Sequence, residues 1–171
     1  MVKNTLFALL LTIGFAFTAN AQRIAYVNVE AILESIAEYQ EAQTELDELA
    51  ARWRTEISGE YDKIKGEYNR YQAEQVLLSD DARRAKEEEI MEMEKKVREL
   101  QKERFGPNGM LFDKRKELVQ PIQDRVYGAI QDYANDRGYD FIFDNSGSAG
   151  MIFANPEYDK TNDVIDKIRK N

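Results

Sequence analysis

The chain has no cysteine and no histidine among its 171 residues. The first absence excludes disulfides, thiolate nucleophiles and sulfur ligands for zinc. The second removes the commonest general base, the commonest metal ligand and the usual pH switch near neutrality. With both gone, Cys–His and Ser–His–Asp catalysis have no members to draw on. No glycine-rich loop with phosphate-binding spacing occurs, so neither a nucleotide nor any other cofactor is expected. Basic charge is outnumbered, with 24 Lys and Arg against 32 Asp and Glu and a net charge of −8. No basic stripe runs through the chain, which argues against nucleic acid as a partner. Carboxylate-only chemistry has no visible constellation. Glu87-Glu88-Glu89 reads as a solvated helix face, because adjacent helical residues do not converge on one side. Asp140 and Asp144 flank a predicted strand and suit turn and edge roles, and Asp163 suits a helix N-terminus. An enzyme is not expected, and no catalytic, metal or cofactor residue is assigned.

Long apolar runs are also lacking, with one exception. Leu6 to Phe17 is nearly unbroken, follows Lys3, and precedes the small-x-small triplet Ala19-Asn20-Ala21. This pattern predicts a secretory signal peptide cleaved after Ala21. The run is shorter than the roughly 20 residues a spanning helix needs. The remainder carries no second run, so an exported, soluble chain is expected.

Proline is scarce, at three residues, and residues 30–78 hold none, with Gly59 and Gly66 the only glycines there. Helix formers fill this stretch. Apolar residues recur at Tyr39, Ala42, Leu46, Leu49, Trp53, Ile57, Tyr61, Ile64, Tyr68 and Tyr71, at spacings of three and four. That is a heptad seam, with a run of successive fours from Leu49 to Tyr61 that locally unwinds a supercoil. Leu78-Ser79-Asp80-Asp81 stops this helix and caps the next. The return limb carries a thin seam of Ile90, Met93, Val97 and Leu100. Phe105-Gly106-Pro107-Asn108-Gly109 interrupts it, and a helix resumes over residues 110–137 with Pro121 inside and Gly138 ending it. If the turn centres near Ser79, residue i faces roughly residue 159 − i. Pro107 then lies opposite Arg52, with Trp53 and Phe105 as a pivot beside the break.

Either side of this hairpin the pattern changes. Residues 22–29 read as a strand apolar on both faces. Residues 139–144 and 150–154 read as two short strands forming a hairpin through Asn145-Ser146-Gly147-Ser148. Thr161 is placed to cap a last short helix with Val164, Ile165 and Ile168 on its apolar face. The predicted class is α+β and mainly helical: a long antiparallel coiled-coil hairpin arm on a small oligomeric β-strand head. The predicted divisions are 1–21 (signal peptide), 22–38 (strand and helix start of the head), 39–120 (arm) and 121–171 (helix, β-hairpin and C-terminal helix of the head). So small a head, with open apolar strand edges, needs partners to be stable. These physical grounds do not choose between a dimer and a trimer.

The order of motifs is informative. Arg23-Ile24-Ala25-Tyr26-Val27-Asn28-Val29 follows the signal and precedes the charged hairpin. Then come Leu118-Val119-Gln120-Pro121-Ile122-Gln123, Gly138-Tyr139-Asp140-Phe141-Ile142-Phe143-Asp144 and Tyr158-Asp159-Lys160-Thr161-Asn162-Asp163-Val164-Ile165. Over essentially the whole chain after residue 21, this resembles the Skp/OmpH family. The resemblance implies a periplasmic homotrimer whose head is built from strands of all three chains and whose arms enclose a cavity. It implies an ATP-independent holding chaperone that keeps unfolded outer-membrane proteins from aggregating. Well-known members are basic, with positive arm tips. Here residues 61–104 carry twelve acids and eleven bases, so lipopolysaccharide or anionic-lipid binding is not carried over. A structural coiled-coil spacer or adaptor of the cell envelope is the alternative.

Three groups of residues follow as candidates. Client contacts are assigned to Ile57, Tyr61, Ile64, Tyr68, Tyr71, Met91 and Met93, with the limb–limb seam the competing and favoured role for the stripe. Oligomer contacts are assigned to Ile24, Tyr26, Val27, Val29, Phe141, Phe143, Met151 and Phe153. A hinge is assigned to Trp53, Phe105, Gly106, Pro107 and Gly109.

Overall fold

The computed structural model describes residues 22–147 and 151–170. The expected signal peptide and the Ser148–Gly150 portion of the expected hairpin lie outside them. The chain divides into two compact units, one made of residues up to 32 and from 127 onward, the other of residues 33–126.

The first unit is built on two short strands. β1, Ile24–Val27, pairs in parallel with β2, Phe141–Asp144, in the register Ile24↔Phe141 and Tyr26↔Phe143. A parallel pair requires a crossover connection, and here the helices between the strands supply it. On the other side of β1, Tyr26 bridges to Asp159, and the Lys160 amide donates to the Tyr26 carbonyl. Ala25, Tyr26 and Val27 are buried, as the two-sided apolar pattern requires.

Three expectations fail in this unit, each for a visible reason. First, the strand ends at Val27, and Val29 opens helix α1, Val29–Glu34. Asn28 is the cause: its side-chain oxygen accepts from the Ala31 amide, while Asp144 Oδ1 accepts from the Val29 amide. Helix start is therefore fixed by side-chain capping that strand periodicity does not reveal. Second, β2 does not form a hairpin with residues 151–155, which have no regular secondary structure. Its hydrogen bonds go to β1, and the Asn145 amide goes to the Val27 carbonyl. Beyond the irregular stretch, Asn155 caps a short 3₁₀ turn, Pro156–Tyr158. Third, the entry to the last helix, Thr161–Lys170, is made by Asp159, whose Oδ1 accepts from both the amide and the hydroxyl of Thr161. Thr161 is instead buried, and its oxygen accepts from the Asn28 amide at 2.9 Å.

The second unit is helical. The predicted unbroken helix over 30–78 is interrupted: α1 ends at Glu34 and α2 spans Ala37–Glu74. Ile36 sits between them in an extended conformation with its side chain buried, and neither glycine nor proline marks the place. The Gln40 side chain donates to the Glu34 carbonyl, satisfying one group at the end of α1. A 3₁₀ turn, Gln75–Leu77, leads to Ser79, whose Oγ accepts from the Ala82 amide and caps α3, Asp80–Phe105. Asp80 and Asp81 occupy the positive end of α3. α4, Met110–Arg137, runs through Pro121. It ends at Gly138, whose φ of +66° favours glycine, and the Tyr139 amide closes back on the Ala134 carbonyl. The final helix is α5.

Candidate functional site

The antiparallel pair α2 and α3 carries the most informative surface. Its seam is a cluster of Ile57, Ile64, Ile90 and Val97, with Tyr71, Met93, Leu100 and Phe105 packed against it. Burying each of the four stabilises the hairpin by about 1.5–3 kcal/mol. The pairing follows the hairpin symmetry closely. Lys114 meets Glu45 at 3.4 Å, Arg104 lies 3.9 Å from Glu56, and the Phe105 ring meets Trp53 edge-on at 6.0 Å.

This geometry divides the client-contact candidates. Ile57 and Ile64 are seam residues with little exposure, and Ile57 still lines an open cavity between the two helices. Met93 is packed against the seam. Tyr71 is too, and its hydroxyl donates to Glu87, whose carboxylate raises the phenol pKa. Tyr61, Tyr68 and Met91 are exposed. Sequence periodicity missed two residues at the tip, Val76 and Leu77, which are 82% and 85% exposed. A signal was available: two apolar residues fall beside a predicted helix stop, where neither limb continues far enough to cover them.

The hinge candidates also come together. α3 stops at Phe105, and the Gly106 amide donates to Lys102 O at 2.8 Å. The Gly109 amide closes a turn onto Gly106 O at 2.9 Å, and the Asp113 amide then reaches Gly109 O. A Cβ on Gly106 would lie 2.4 Å from the Lys102 carbonyl oxygen, and one on Gly109 would lie 2.7 Å from that of Glu103. Both contacts are to backbone, so close approach is the reason for glycine here. Beside the turn, the Arg104 guanidinium covers the Trp53 ring at 4.7 Å and the Arg54 guanidinium lies 5.8 Å from the Phe105 ring centre. Arg104 Nε is buried without a hydrogen-bond partner.

The strand unit divides the oligomer candidates in the same way. Tyr26, Val27 and Val29 are buried within the unit. Ile24, Phe141, Phe143, Met151 and Phe153 are exposed, as are Ile152 and Tyr158, which the sequence reading omitted. Ile24, Tyr26, Phe141 and Phe143 share one sheet face by register, and the two Phe rings stack at 6.3 Å. Ile24, Tyr26 and Phe143, together with Met151, Phe153 and Tyr158, border a largely apolar depression of about 500 Å³.

The acids singled out from the sequence have structural partners. Asp140 Oδ2 accepts from the Arg23 amide at 2.7 Å. Asp163 accepts from the Tyr133 hydroxyl at 2.6 Å rather than serving only the helix end. Burial, and then that carboxylate, push the Tyr133 phenol well above its ordinary range. Burial acts to raise the Asp144 pKa, but hydrogen bonds from Ser146 and from the Val29 amide outweigh it and hold the carboxyl below its usual value. No cluster suited to a metal occurs among the described residues, and no described helix is long and apolar enough to cross a membrane.

The family model for "Outer membrane protein (OmpH-like)" matches residues 23–168. The chain belongs to the OmpH-like family. It is 25% identical to the chaperone protein Skp of Yersinia enterocolitica over 175 residues, an alignment spanning 98% of this chain and all of Skp. Its fold matches the crystal structure of an OmpH-like outer membrane chaperone target from Caulobacter crescentus, with a TM-score of 0.69, 13% identity, and coverage of 88% of this chain and 85% of the other. The long helices and small two-stranded sheet are thus those of a chaperone family.

Proposed function

We propose that this OmpH-like chain is an ATP-independent periplasmic chaperone that holds unfolded outer-membrane proteins and prevents their aggregation. The chain would be exported, with its signal peptide cleaved after Ala21. The observation that carries the reading is the state of the hairpin surface. Its seam is filled at four positions by its own isoleucines and valine, yet Tyr61, Tyr68, Val76, Leu77 and Met91 stay exposed among charged residues. Scattered apolar groups of this kind give many weak contacts and no strong one, which suits an unfolded chain that must later be released. Tyrosine contributes an apolar ring with a polar tip, and methionine an adaptable thioether.

The exposed apolar face of the strand unit supports assembly through that unit, and the family supports a homotrimer with the α2–α3 hairpins as arms around a client. The division proposed is head at 22–38 and 121–171, arm at 39–120. The test is dilution of a urea-unfolded outer-membrane barrel protein into buffer without nucleotide, followed by light scattering. Equimolar trimer should suppress the rise in scattering. An unchanged rise for every barrel protein tried, or a requirement for ATP, overturns the proposal.

A further inference from the structure

The α2 seam has a gap. Buried positions step regularly through Ala42, Leu46, Ala50, Trp53 and Ile57, and the next is Ile64. Tyr61 lies between them in the correct phase, yet it is 43% exposed. Opposite it, α3 offers Gln101 rather than an apolar residue, and the Tyr61 hydroxyl reaches Gln101 Oε1 at 3.5 Å, the outer limit of a hydrogen bond. Successive spacings of four from Leu49 to Tyr61 turn the seam away from its partner at this level. The result is an open cavity of about 380 Å³, with Ile57 and Phe105 as floor and Arg54, Ser58, Tyr61 and Gln101 as walls.

We propose that this cavity is a subsite for a single aromatic side chain of an unfolded polypeptide. The proposal rests on the holding function and names the chemistry one of its contacts prefers. The volume lies at the low end for small-ligand sites. Phe105 ends an arginine–aromatic series that runs behind the cavity: Arg104 on Trp53, Trp53 edge-on to Phe105, and Arg54 beside Phe105. A guest ring over Ile57 extends that series, gaining edge or offset contact with Phe105 and the Arg54 cation over its face. An aliphatic guest gains neither. The walls supply a hydroxyl, a phenol and an amide, which can donate to or accept from the guest's backbone. Arg54 and Asp62 place opposite charges on the rim, so segments of either net charge are admitted.

Trp53 is the sole tryptophan and touches the floor through Phe105, so its emission reports occupancy. The purified protein is titrated with the blocked peptide acetyl-Gly-Gly-Phe-Gly-Gly-amide and its Leu counterpart, with excitation at a wavelength only tryptophan absorbs. The Phe peptide should give a saturable shift with a half-saturation about fivefold lower than the Leu peptide. Ser58→Leu fills the mouth from an exposed position and should weaken the Phe peptide about tenfold; Arg54→Ala should weaken it about three- to fivefold. Equal half-saturation for the two peptides in the unmodified protein overturns the proposal whether or not either variant folds. So does a folded Ser58→Leu with an unchanged Phe titration. The barrel-aggregation assay separates the two readings. Suppression without a Phe-selective titration removes the subsite and keeps the holding function. A Phe-selective titration without suppression removes the holding function and leaves an aromatic-binding site.

Discussion

Replacing Gly109 with alanine should destabilise the protein, whereas replacing Gly106, Pro107 and Gly109 together should not. The single change places a Cβ 2.7 Å from the Glu103 carbonyl oxygen and 2.8 Å from the Gly106 nitrogen. Both neighbours are main chain, so relief requires the turn itself to move. Overpacking of this kind costs about 1–3 kcal/mol. Movement also stretches the Gly109–Gly106 hydrogen bond, now 2.9 Å, worth about 1 kcal/mol. The turn has no helical escape, because Pro107 in a helix interior costs about 3 kcal/mol. For a chain of this length the total of about 2–4 kcal/mol corresponds to a fall in Tm of roughly 5–15 °C.

The triple change removes that obstacle. Three alanines favour a continuous helix by about 1 kcal/mol for each glycine replaced and about 3 kcal/mol for the proline. The apolar phase survives, since Val97, Leu100, Leu111, Leu118 and Ile122 continue at heptad-compatible spacings across the join. Thermal melts by far-ultraviolet circular dichroism at fixed protein concentration compare the variants. The expected result is strong non-additivity: a low Tm for Gly109→Ala and recovery in the triple variant. A neutral Gly109→Ala refutes the close-approach reading. The same triple variant tests motion, since spin labels near residue 76 of two arms should give a narrower distance distribution if the break acts as a hinge. An unchanged distribution makes the break a static turn.

Three other outcomes are expected. If the proposed trimer forms through the exposed strand face, Phe143→Asp should dissociate it while the separated chains keep their helicity, whereas Val27→Asp, at a core position, should unfold the strand unit; light scattering with circular dichroism distinguishes them, and an intact Phe143→Asp oligomer rules out this face as the interface. Because Asp144 has a lowered pKa in the folded state, its stabilisation is full above its unfolded pKa and is lost as pH falls through the folded value; Asp144→Asn should lower stability at pH 7 and flatten the acid limb of a Tm–pH curve, and a parallel limb would remove this carboxylate from the account. Val76→Ser with Leu77→Ser should leave the Tm within about 2 °C, since both side chains are already solvated, yet reduce suppression of barrel aggregation; full suppression excludes the tip from client contact.

The long helices were readable because their signals are local. Heptad spacing, the absence of proline and the cap at Ser79 together place the α2–α3 hairpin and its pairing, down to Arg104 beside Glu56. Two of the errors lie where a distant residue decides. Asp144 receives the Val29 amide from 115 positions away, and Thr161 receives the Asn28 amide from 133 away. These bonds start a helix where alternation alone continues a strand. The pairing of β2 with β1 is equally non-local, while a hairpin with residues 150–154 was the nearest local solution. The break at Ile36 has no sequence mark, because a buried isoleucine in extended backbone is indistinguishable by type from one in a helix. For the exposed contacts, periodicity identified the stripe but not the side chains left uncovered, which depends on what the facing limb offers.

That last dependence links the arm's stability to its proposed activity. A seam needs apolar residues from both limbs, and here the two contributions are unequal. Opposite α3, α2 buries Trp53, Ile57 and Ile64 and sets Tyr61, Tyr68 and Tyr71 in the same stripe, while α3 buries only Ile90 and Val97. The two limbs still hold together, because the buried quartet is flanked by Met93, Leu100 and Phe105 and by cross-limb polar contacts such as Tyr71 to Glu87. The excess on α2 has nowhere to go, so Tyr61 and Tyr68 remain at the surface. Widening the α3 seam, for example with Gln101→Leu, should therefore raise arm stability and cover Tyr61 at once. Burying the added leucine should contribute up to about 2 kcal/mol. If the exposed tyrosines hold clients, the stabilised variant should suppress aggregation less well than the native protein. A variant that gains stability and keeps full suppression would show that the thin seam is incidental to holding.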